Sequence, residues 1–240
     1  MKLRTLIAFA FCLPLSSYSF AQDSEHYFRF IVQQKTELDR LTRLISIDNV
    51  KGDTVYAYAN DQEWRRFLSL GYQPVELPHP GSQYEHQMSD SPLGALDWDR
   101  YPTYQAYVTM MNQYAADYPR ICRLDTIGYS VQGRLLLALK ISDKVIRNED
   151  EPEFLYTSTM HGDETVGYVL LLRLADYLLT QYGQGSQEGV RVSNLIDNME
   201  IWINPLANPD GTYRLGGDTT VSNARRYNFN GVDLNRNFPD

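Results

Sequence analysis

Cysteine is scarce in this 240-residue chain, which contains only Cys12 and Cys122. A chain with so few cysteines does not rely on a disulfide framework for its stability. Cys12 lies in an apolar start that resembles an export signal, so Cys122 has no partner once that start is removed. We therefore expect Cys122 to be a small buried side chain rather than a nucleophile.

Basic residues are also in short supply. Lysine and arginine number 22 against 30 aspartate and glutamate residues, which gives a formal charge of −8. This acidic balance argues against nucleic acid or an anionic membrane surface as a partner, because both repel a negatively charged protein. A net negative charge of this size usually serves solubility. We expect a monomer.

Long hydrophobic runs are missing as well. The apolar run Leu6–Leu15 is too short to span a bilayer. It follows a basic start and precedes the small-residue site Ser19-Phe20-Ala21, so residues 1–21 have the pattern of a cleavable signal peptide. Cleavage near Ala21-Gln22 would bring the formal charge to −10. We expect an exported protein, secreted or periplasmic, without stable membrane association.

Residues 22–77 have the pattern of a small βαββαβ domain. This order of elements suits an α+β open sandwich. Residues 78–96 follow as a linker, with three prolines and no lysine or arginine. The predicted elements are strands at 27–32, 45–50, 54–59 and 72–77, a helix at 38–45, and a helix with Asp61 as its N-cap and Gly71 at its end.

From residue 97 to residue 240, helices and strands alternate. Apolar runs at 135–141, 154–159 and 199–204 are typical of strands inside a sheet. The pattern indicates an α/β sheet covered by helices on both faces, with functional residues just beyond the carboxyl ends of strands. Helices are predicted from Thr103, over Thr165–Tyr182 with Val166, Leu170 and Leu178 inward, and near 190–198.

A histidine and a glutamate, His161 and Glu164, lie between a predicted strand and the helix that starts at Thr165. Their spacing at a strand-to-helix turn lets an imidazole and a carboxylate converge on one ion. Zinc suits this nitrogen and oxygen pair, and a catalytic zinc normally has three protein ligands and one water. Taken alone the pair is a weak signal, because Glu164 is also compatible with a simple acidic residue at a helix N-terminus.

Two more polar segments follow. Asn208-Pro-Asp-Gly211 comes after another predicted strand and by itself predicts only a turn. Farther on, Asn235 and Arg236 suit a grip on a terminal carboxylate, because a guanidinium donates parallel hydrogen bonds. Arg226 could stabilise an oxyanion, and Asp233 could orient a metal-bound histidine. Each of these charges, taken singly, is also compatible with a solvated loop.

In their order and spacing, the three segments resemble those of the zinc metallocarboxypeptidase superfamily (carboxypeptidase A/B/D-like), from about Tyr101 to Asp240. The resemblance implies a mixed, mostly parallel sheet with helices on both faces. It implies one Zn²⁺ ion held by His161 and Glu164, and hydrolysis of C-terminal peptide bonds through a zinc-activated water. The most specific segments are Pro-Leu-Ala-Asn-Pro-Asp-Gly at 205–211 and Gly-Val-Asp-Leu-Asn-Arg-Asn-Phe-Pro-Asp at 231–240.

The resemblance also implies roles in substrate binding. Asn235 and Arg236 would hold the C-terminal carboxylate of a peptide or protein substrate. Arg226 matches the arginine that polarises the scissile carbonyl, in preference to Arg225, and Asp233 matches the acid that supports the first histidine ligand. The domain at 22–77 resembles the prosegments of the superfamily in its order of elements, although it carries no motif.

Several residues that the family's chemistry needs have no counterpart in this sequence. A third zinc ligand, a tyrosine and a glutamate acting as general base are missing, and the remaining histidines lie in the N-terminal domain or the linker. We therefore expect the N-terminal portion of a longer precursor, inactive on its own. Two alternatives stay open: a non-catalytic module that binds carboxylates or peptides, and a fragment without function.

Overall fold

The computed structural model describes residues 25–214 and 217–238, and the predicted signal peptide lies outside these residues. The first elements in chain order are β1 (Glu25–Ile31), α1 (Leu38–Leu41), β2 (Ser46–Lys51), β3 (Thr54–Asn60), α2 (Asp61–Ser69) and β4 (Val75–Leu77). Their four strands form an antiparallel sheet in the order β2-β3-β1-β4. The helices cover a core that contains the fully buried Phe28 and Phe67. We call residues 25–77 the N-terminal sandwich.

The order of elements in the sandwich is the one that the sequence predicts. The N-cap of α2 differs, because Asn60 and not Asp61 caps the helix. The Asn60 side chain accepts hydrogen bonds from the backbone N–H groups of Gln62 and Glu63, which are otherwise unpaired at a helix start. Gly71 follows the helix with a positive φ of 85°, the conformation that glycine adopts most readily.

The segment predicted as a linker lies against the second half of the chain. It contains the short strand β5 (Met88–Ser89) and a single helical turn, α3 (Pro92–Ala95). The carbonyl of Gly81 accepts a hydrogen bond of 2.7 Å from the backbone of Asn223. A side chain at Gly81 would collide with the carbonyl oxygen of Ala224, so only glycine allows this close approach.

A second, mixed sheet forms the rest of the fold. The elements are β6 (Tyr101–Pro102), α4 (Tyr104–Asp117), β7 (Cys122–Tyr129), β8 (Leu135–Ile141), β9 (Glu153–Thr157), α5 (Thr165–Gln181), α6 (Gln187–Ile196), β10 (Glu200–Asn204) and α7 (Pro209–Thr212). The strand order is β7-β8-β10-β9. Only β9 and β10 pair in parallel among the described strands of this sheet. The sheet is therefore mixed, as expected, but with a smaller parallel share than the expected "mostly parallel" arrangement.

The three long helices α4, α5 and α6 share one core with the sheet residues Leu139 and Ile203. Tyr107 of α4 meets Tyr168 of α5 edge to face, with ring centroids 5.4 Å apart. These helices therefore lie side by side on one face of the sheet. The helical layer expected on the opposite face is not formed by residues 25–214 and 217–238.

The predicted inward face of α5 is wrong in part. Leu178 is buried as expected, but Val166 and Leu170 are exposed and their neighbours Tyr168 and Leu172 are buried instead. The helix is apolar on nearly every side, so periodicity alone cannot select the packed face. Contact with α4 determines which face of α5 is buried.

Cys122 behaves as a small buried apolar residue, as expected. It is buried at the start of β7, and burial raises the pKa of its thiol to about 12. The thiol is therefore protonated at neutral pH and unsuited to act as a nucleophile. Within the described ranges, no helix is long and apolar enough to cross a membrane.

Candidate metal centre and substrate site

The loop between β9 and α5 places His161 and Glu164 together. His161 is buried, whereas Glu164 is exposed just before the first residue of α5. The Nδ1 atom of His161 lies 2.9 Å from Oε1 of Glu164. The two predicted metal ligands therefore converge, as their spacing suggested.

Asp233 lies on the other side of the imidazole. Its Oδ1 atom is 3.0 Å from Nε2 of His161, and both side chains are buried. Burial alone would lower the pKa of His161, but hydrogen bonds with Asp233 and Glu164 raise it to about 9. Burial would raise the pKa of Asp233, but hydrogen bonds with His161 and Ser46 hold it well below its usual range.

The donor chemistry of this group fits a zinc ion. Both ring nitrogens of His161 face carboxylate oxygens. A neutral imidazole has only one N–H, so it can donate to one carboxylate, and the lone pair of its other nitrogen then faces the second carboxylate. If Nε2–H donates to Asp233, the lone pair of Nδ1 points toward Glu164. A cation or a proton then stabilises that contact, and a histidine supported by a carboxylate is a common metal ligand.

Arg226 lies close to the pair but is covered by the N-terminal sandwich. Its Nη1 atom is 3.6 Å from Oε1 of Glu164, and its Nε atom is 3.5 Å from Oδ2 of Asp233. The same Nε donates to the hydroxyl of Ser46 at 2.8 Å, and the guanidinium carbon lies 4.9 Å from the ring centroid of Tyr58. Arg226 therefore lies beside Glu164 and Asp233 but is buried under sandwich residues, and its oxyanion role stays a prediction.

Main-chain hydrogen bonds join the three polar turns. The N–H of Gly162 donates to the carbonyl of Arg226 at 3.1 Å, and the N–H of Arg225 donates to the carbonyl of Gly211 at 2.8 Å. The amide of Asn208 also donates to the carbonyl of Arg226. A side chain at Gly162 would collide with the backbone of Gly211, so the turns can only approach this closely with glycine there.

Asp210, inside the Asn-Pro-Asp-Gly turn, has a structural role that sequence reasoning missed. Its carboxylate accepts hydrogen bonds from the hydroxyl of Ser130 at 2.7 Å and from the backbone N–H of Gln132 at 3.0 Å. Arg134 donates to it at 2.7 Å and also to Asp218 at 2.7 Å. The aspartate therefore fastens the β7–β8 hairpin to the site loops.

The predicted carboxylate clamp, Asn235 and Arg236, is open to solvent. Asp233 starts this short helical turn by accepting the N–H of Asn235 at 2.9 Å. Arg236 pairs with no carboxylate in the part of the chain that the structure describes. Its side chain lines a polar cavity of about 260 Å³, whose opposite wall includes Arg43 and Ser46 of the sandwich.

Three further polar residues meet at the site without having been predicted. Glu25 accepts the backbone N–H groups of Arg226 and Tyr227, and it contacts His79 at 2.6 Å. Burial and the nearby charge of Glu25 raise the pKa of Asp163 to about 6. Asp163 could have been suspected from its place between the two predicted ligands. Glu25 offered no local signal, because its backbone partners lie about 200 residues away along the chain and His79 lies 54 residues away.

The fold is a mixed α/β fold, and its polar turns bring a histidine and two carboxylates together. The sequence profile of the zinc carboxypeptidase family, peptidase M14, matches residues 107–240, and the chain belongs to this family. Its members are zinc-dependent hydrolases that act on the C-termini of peptides, which agrees with the resemblance seen in the sequence.

Individual relatives support the same family. Human carboxypeptidase D is 35% identical over 173 residues, which cover 72% of this chain and 11% of that protein. A zinc carboxypeptidase of Saccharothrix mutabilis subsp. capreolus is 37% identical over 178 residues, which cover 71% of this chain and 37% of that protein. The matched segments thus cover well under half the length of each of these relatives.

A solved structure shows the same fold. The crystal structure of carboxypeptidase A from Helicoverpa armigera aligns with a TM-score of 0.54 and 17% identity. The alignment covers 87% of this chain and 53% of the other. It includes most of the described residues and supports the carboxypeptidase fold class expected from the sequence.

Proposed function

We propose that this chain is the N-terminal portion of an exported zinc metallocarboxypeptidase precursor, which hydrolyses the last peptide bond of peptides or proteins. The observation that carries the proposal is the position of His161 between Glu164 and Asp233. Membership of the zinc carboxypeptidase family supports it independently. Export rests on the signal-peptide pattern of residues 1–21.

In this proposal His161 and Glu164 hold one Zn²⁺ ion. When bound, zinc supplies a Lewis acid that activates water and polarises a carbonyl. Asp233 accepts the Nε2–H of His161 and so keeps the lone pair of Nδ1 directed toward the metal. A catalytic zinc usually has three protein ligands, and His161 and Glu164 supply two of them.

Substrate binding falls to the arginines. Asn235 and Arg236 would hold the free C-terminal carboxylate, and Arg226 would stabilise negative charge that develops on the scissile carbonyl oxygen. Ser46 and Tyr58 cover Arg226, so the sandwich must move before a substrate can reach it. We therefore propose that residues 22–77 act as a prosegment-like domain, followed by a linker at 78–96 and the start of the catalytic domain at 97–240.

Turnover of matched peptides tests this function in the full-length protein that carries this chain. We expect cleavage of peptides with a free C-terminus, no cleavage of their C-terminally amidated forms, and loss of activity with a chelator. Arg236→Ala should abolish this preference for a free carboxylate, whereas Arg43→Ala, on the opposite wall of the same cavity, should not. Equal cleavage of free and amidated peptides by the wild type would refute the proposed clamp.

A non-catalytic carboxylate-binding module is the second candidate. In the 240-residue chain Asn235 and Arg236 are exposed and can reach a carboxylate, whereas Arg226 is buried and cannot reach a substrate. This favours a binding module for the chain on its own. Zinc titration of that chain separates the two candidates. Two protein ligands should bind zinc weakly, and Glu164→Gln should abolish the binding. Tight one-to-one zinc binding with peptidase activity would show instead that these 240 residues hold a complete site.

A further inference from the structure

Glu25 is an acidic residue in an unusual environment. Its side chain is 1% exposed, although a carboxylate is among the groups that are least often fully buried. Three donors surround it: the backbone N–H groups of Arg226 and Tyr227, each at 3.0 Å, and Nε2 of His79 at 2.6 Å. Burial alone would raise the pKa of Glu25, but these hydrogen bonds lower it, so the group is ionised in the fold.

A metal ion is one candidate occupant of this cluster, because ligand-type atoms of Glu25, His79 and Asp163 lie within 4.8 Å of one another. The tautomer of His79 argues against it. The backbone N–H of Gly81 donates to Nδ1 of His79 at 3.0 Å, so Nδ1 is an acceptor and the ring proton sits on Nε2. That nitrogen donates to Glu25 and has no lone pair for a metal. The two backbone N–H groups and Nε2 of His79 therefore form an anion site that Glu25 fills, with Asp163 beside it.

The donors and the occupant belong to different parts of the fold. The two backbone N–H groups are in the loop that carries Arg226, whereas Glu25 begins the first strand of the sandwich. If the sandwich moved away, both N–H groups would lose their carboxylate partner and would need another acceptor. Water or another anion would have to replace the carboxylate.

We propose that the backbone N–H groups of Arg226 and Tyr227 form a carboxylate-binding site, which Glu25 occupies as an intramolecular latch that holds the sandwich closed over Arg226. The ligand class is a small carboxylate, which competes with Glu25 for the same two donors. This inference rests on the proposed function, because it describes how access to that site is controlled. It places control of access in one side chain at the start of the mature chain.

Amide hydrogen exchange of the 240-residue protein, read on the peptide that contains residues 226 and 227, tests the latch. Glu25→Ala should speed exchange of these amides about tenfold or more, a loss of about 1.4 kcal/mol of protection. Glu25→Gln keeps the size of the side chain and one acceptor oxygen, and should have a smaller effect. The matched control is Glu76→Gln, because Glu76 pairs with His26 on the same sandwich and should leave these amides unchanged.

Chemical rescue tests the carboxylate site itself. Acetate should restore slow exchange to Glu25→Ala, whereas chloride at the same ionic strength should not. Unchanged exchange in both Glu25 variants, or equal effects of acetate and chloride, would overturn the proposal. Circular dichroism checks that each variant is folded, and the Glu25→Gln comparison still decides the question if Glu25→Ala does not fold.

The readout is independent of peptidase activity. If the full-length protein cleaves free C-termini while exchange at residues 226 and 227 does not respond to Glu25, the latch alone has failed. If exchange responds as expected but no peptide is cleaved, the proposed function has failed and the anion site stands.

Discussion

Two aspartates bind the same arginine in very different surroundings, and this predicts two very different mutational effects. Asp210 and Asp218 each lie 2.7 Å from the guanidinium of Arg134, but their side chains are 1% and 48% exposed, respectively. Breaking a buried ion pair from one side costs about 3–5 kcal/mol, whereas an exposed pair contributes less than about 1 kcal/mol.

Asp210→Asn should therefore lower the free energy of unfolding by about 3 kcal/mol, the lower end of the buried range, because Arg134 keeps Asp218 as a partner. The new amide would also face the donors of Ser130 and Gln132, and its NH₂ group cannot accept from either. Asp218→Asn should cost less than about 1 kcal/mol. Its positive φ of 73° adds no strain to the comparison, because asparagine tolerates that conformation.

Urea denaturation at neutral pH, followed by circular dichroism, measures both variants on the same chain. Unchanged slopes with urea would show that the compactness of the unfolded state is the same. If the two variants lose stability to within about 1 kcal/mol of each other, burial does not set the strength of these pairs and the reasoning is refuted.

Three other predictions concern burial, close packing and pH. Lys140 and Glu200 form a fully buried ion pair at 2.7 Å. Lys140→Met should therefore lower the free energy of unfolding, measured with urea, by about 3–5 kcal/mol, because it leaves the charge of Glu200 buried and unpaired. The double variant Lys140→Met/Glu200→Leu should recover most of this loss, and an equally unstable double variant would contradict the prediction. Gly162→Ala should cost more than about 1 kcal/mol, because the new Cβ meets backbone atoms, and a melting temperature within a degree of the wild type would rule out the close contact. The pKa of Glu25 is lowered in the fold, so its contribution to stability is present at neutral pH and is lost as the pH falls through and below about 4. The unfolding free energies of the wild type and Glu25→Gln should therefore converge in acid, and a gap that widens there would show that the sign is wrong.

Local patterns predicted the elements and part of the site. The turn between β9 and α5 brings His161 and Glu164 together because only two residues separate them, and this spacing is fixed by the sequence itself. The sandwich follows its predicted order because turns and capping residues mark each of its short elements. The predicted N-cap of α2 was wrong by one residue, because Asn60 and Asp61 are adjacent in the chain and both residue types are good N-caps.

Contacts between distant segments were not predictable in the same way. The backbone groups that bind Glu25 lie about 200 residues farther along the chain, and no periodicity links them. The packed face of α5 was predicted wrongly because nearly all of its sides are apolar. Strand β7 was missed, since it mixes apolar and polar residues. The assignment of Asn235 and Arg236 as a clamp stays a prediction, which the experiments above test.

The frame of the candidate site is built from main-chain groups. Gly162, Gly211 and the carbonyl of Arg226 hold the three turns together, while the side chains of His161, Glu164 and Asp233 project from them. Such a scaffold separates the requirements for folding from those for chemistry. A descendant could exchange the proposed metal ligands and still present an arginine and an asparagine at the same places. Catalytic and purely binding members could therefore arise on one backbone, with few substitutions between them.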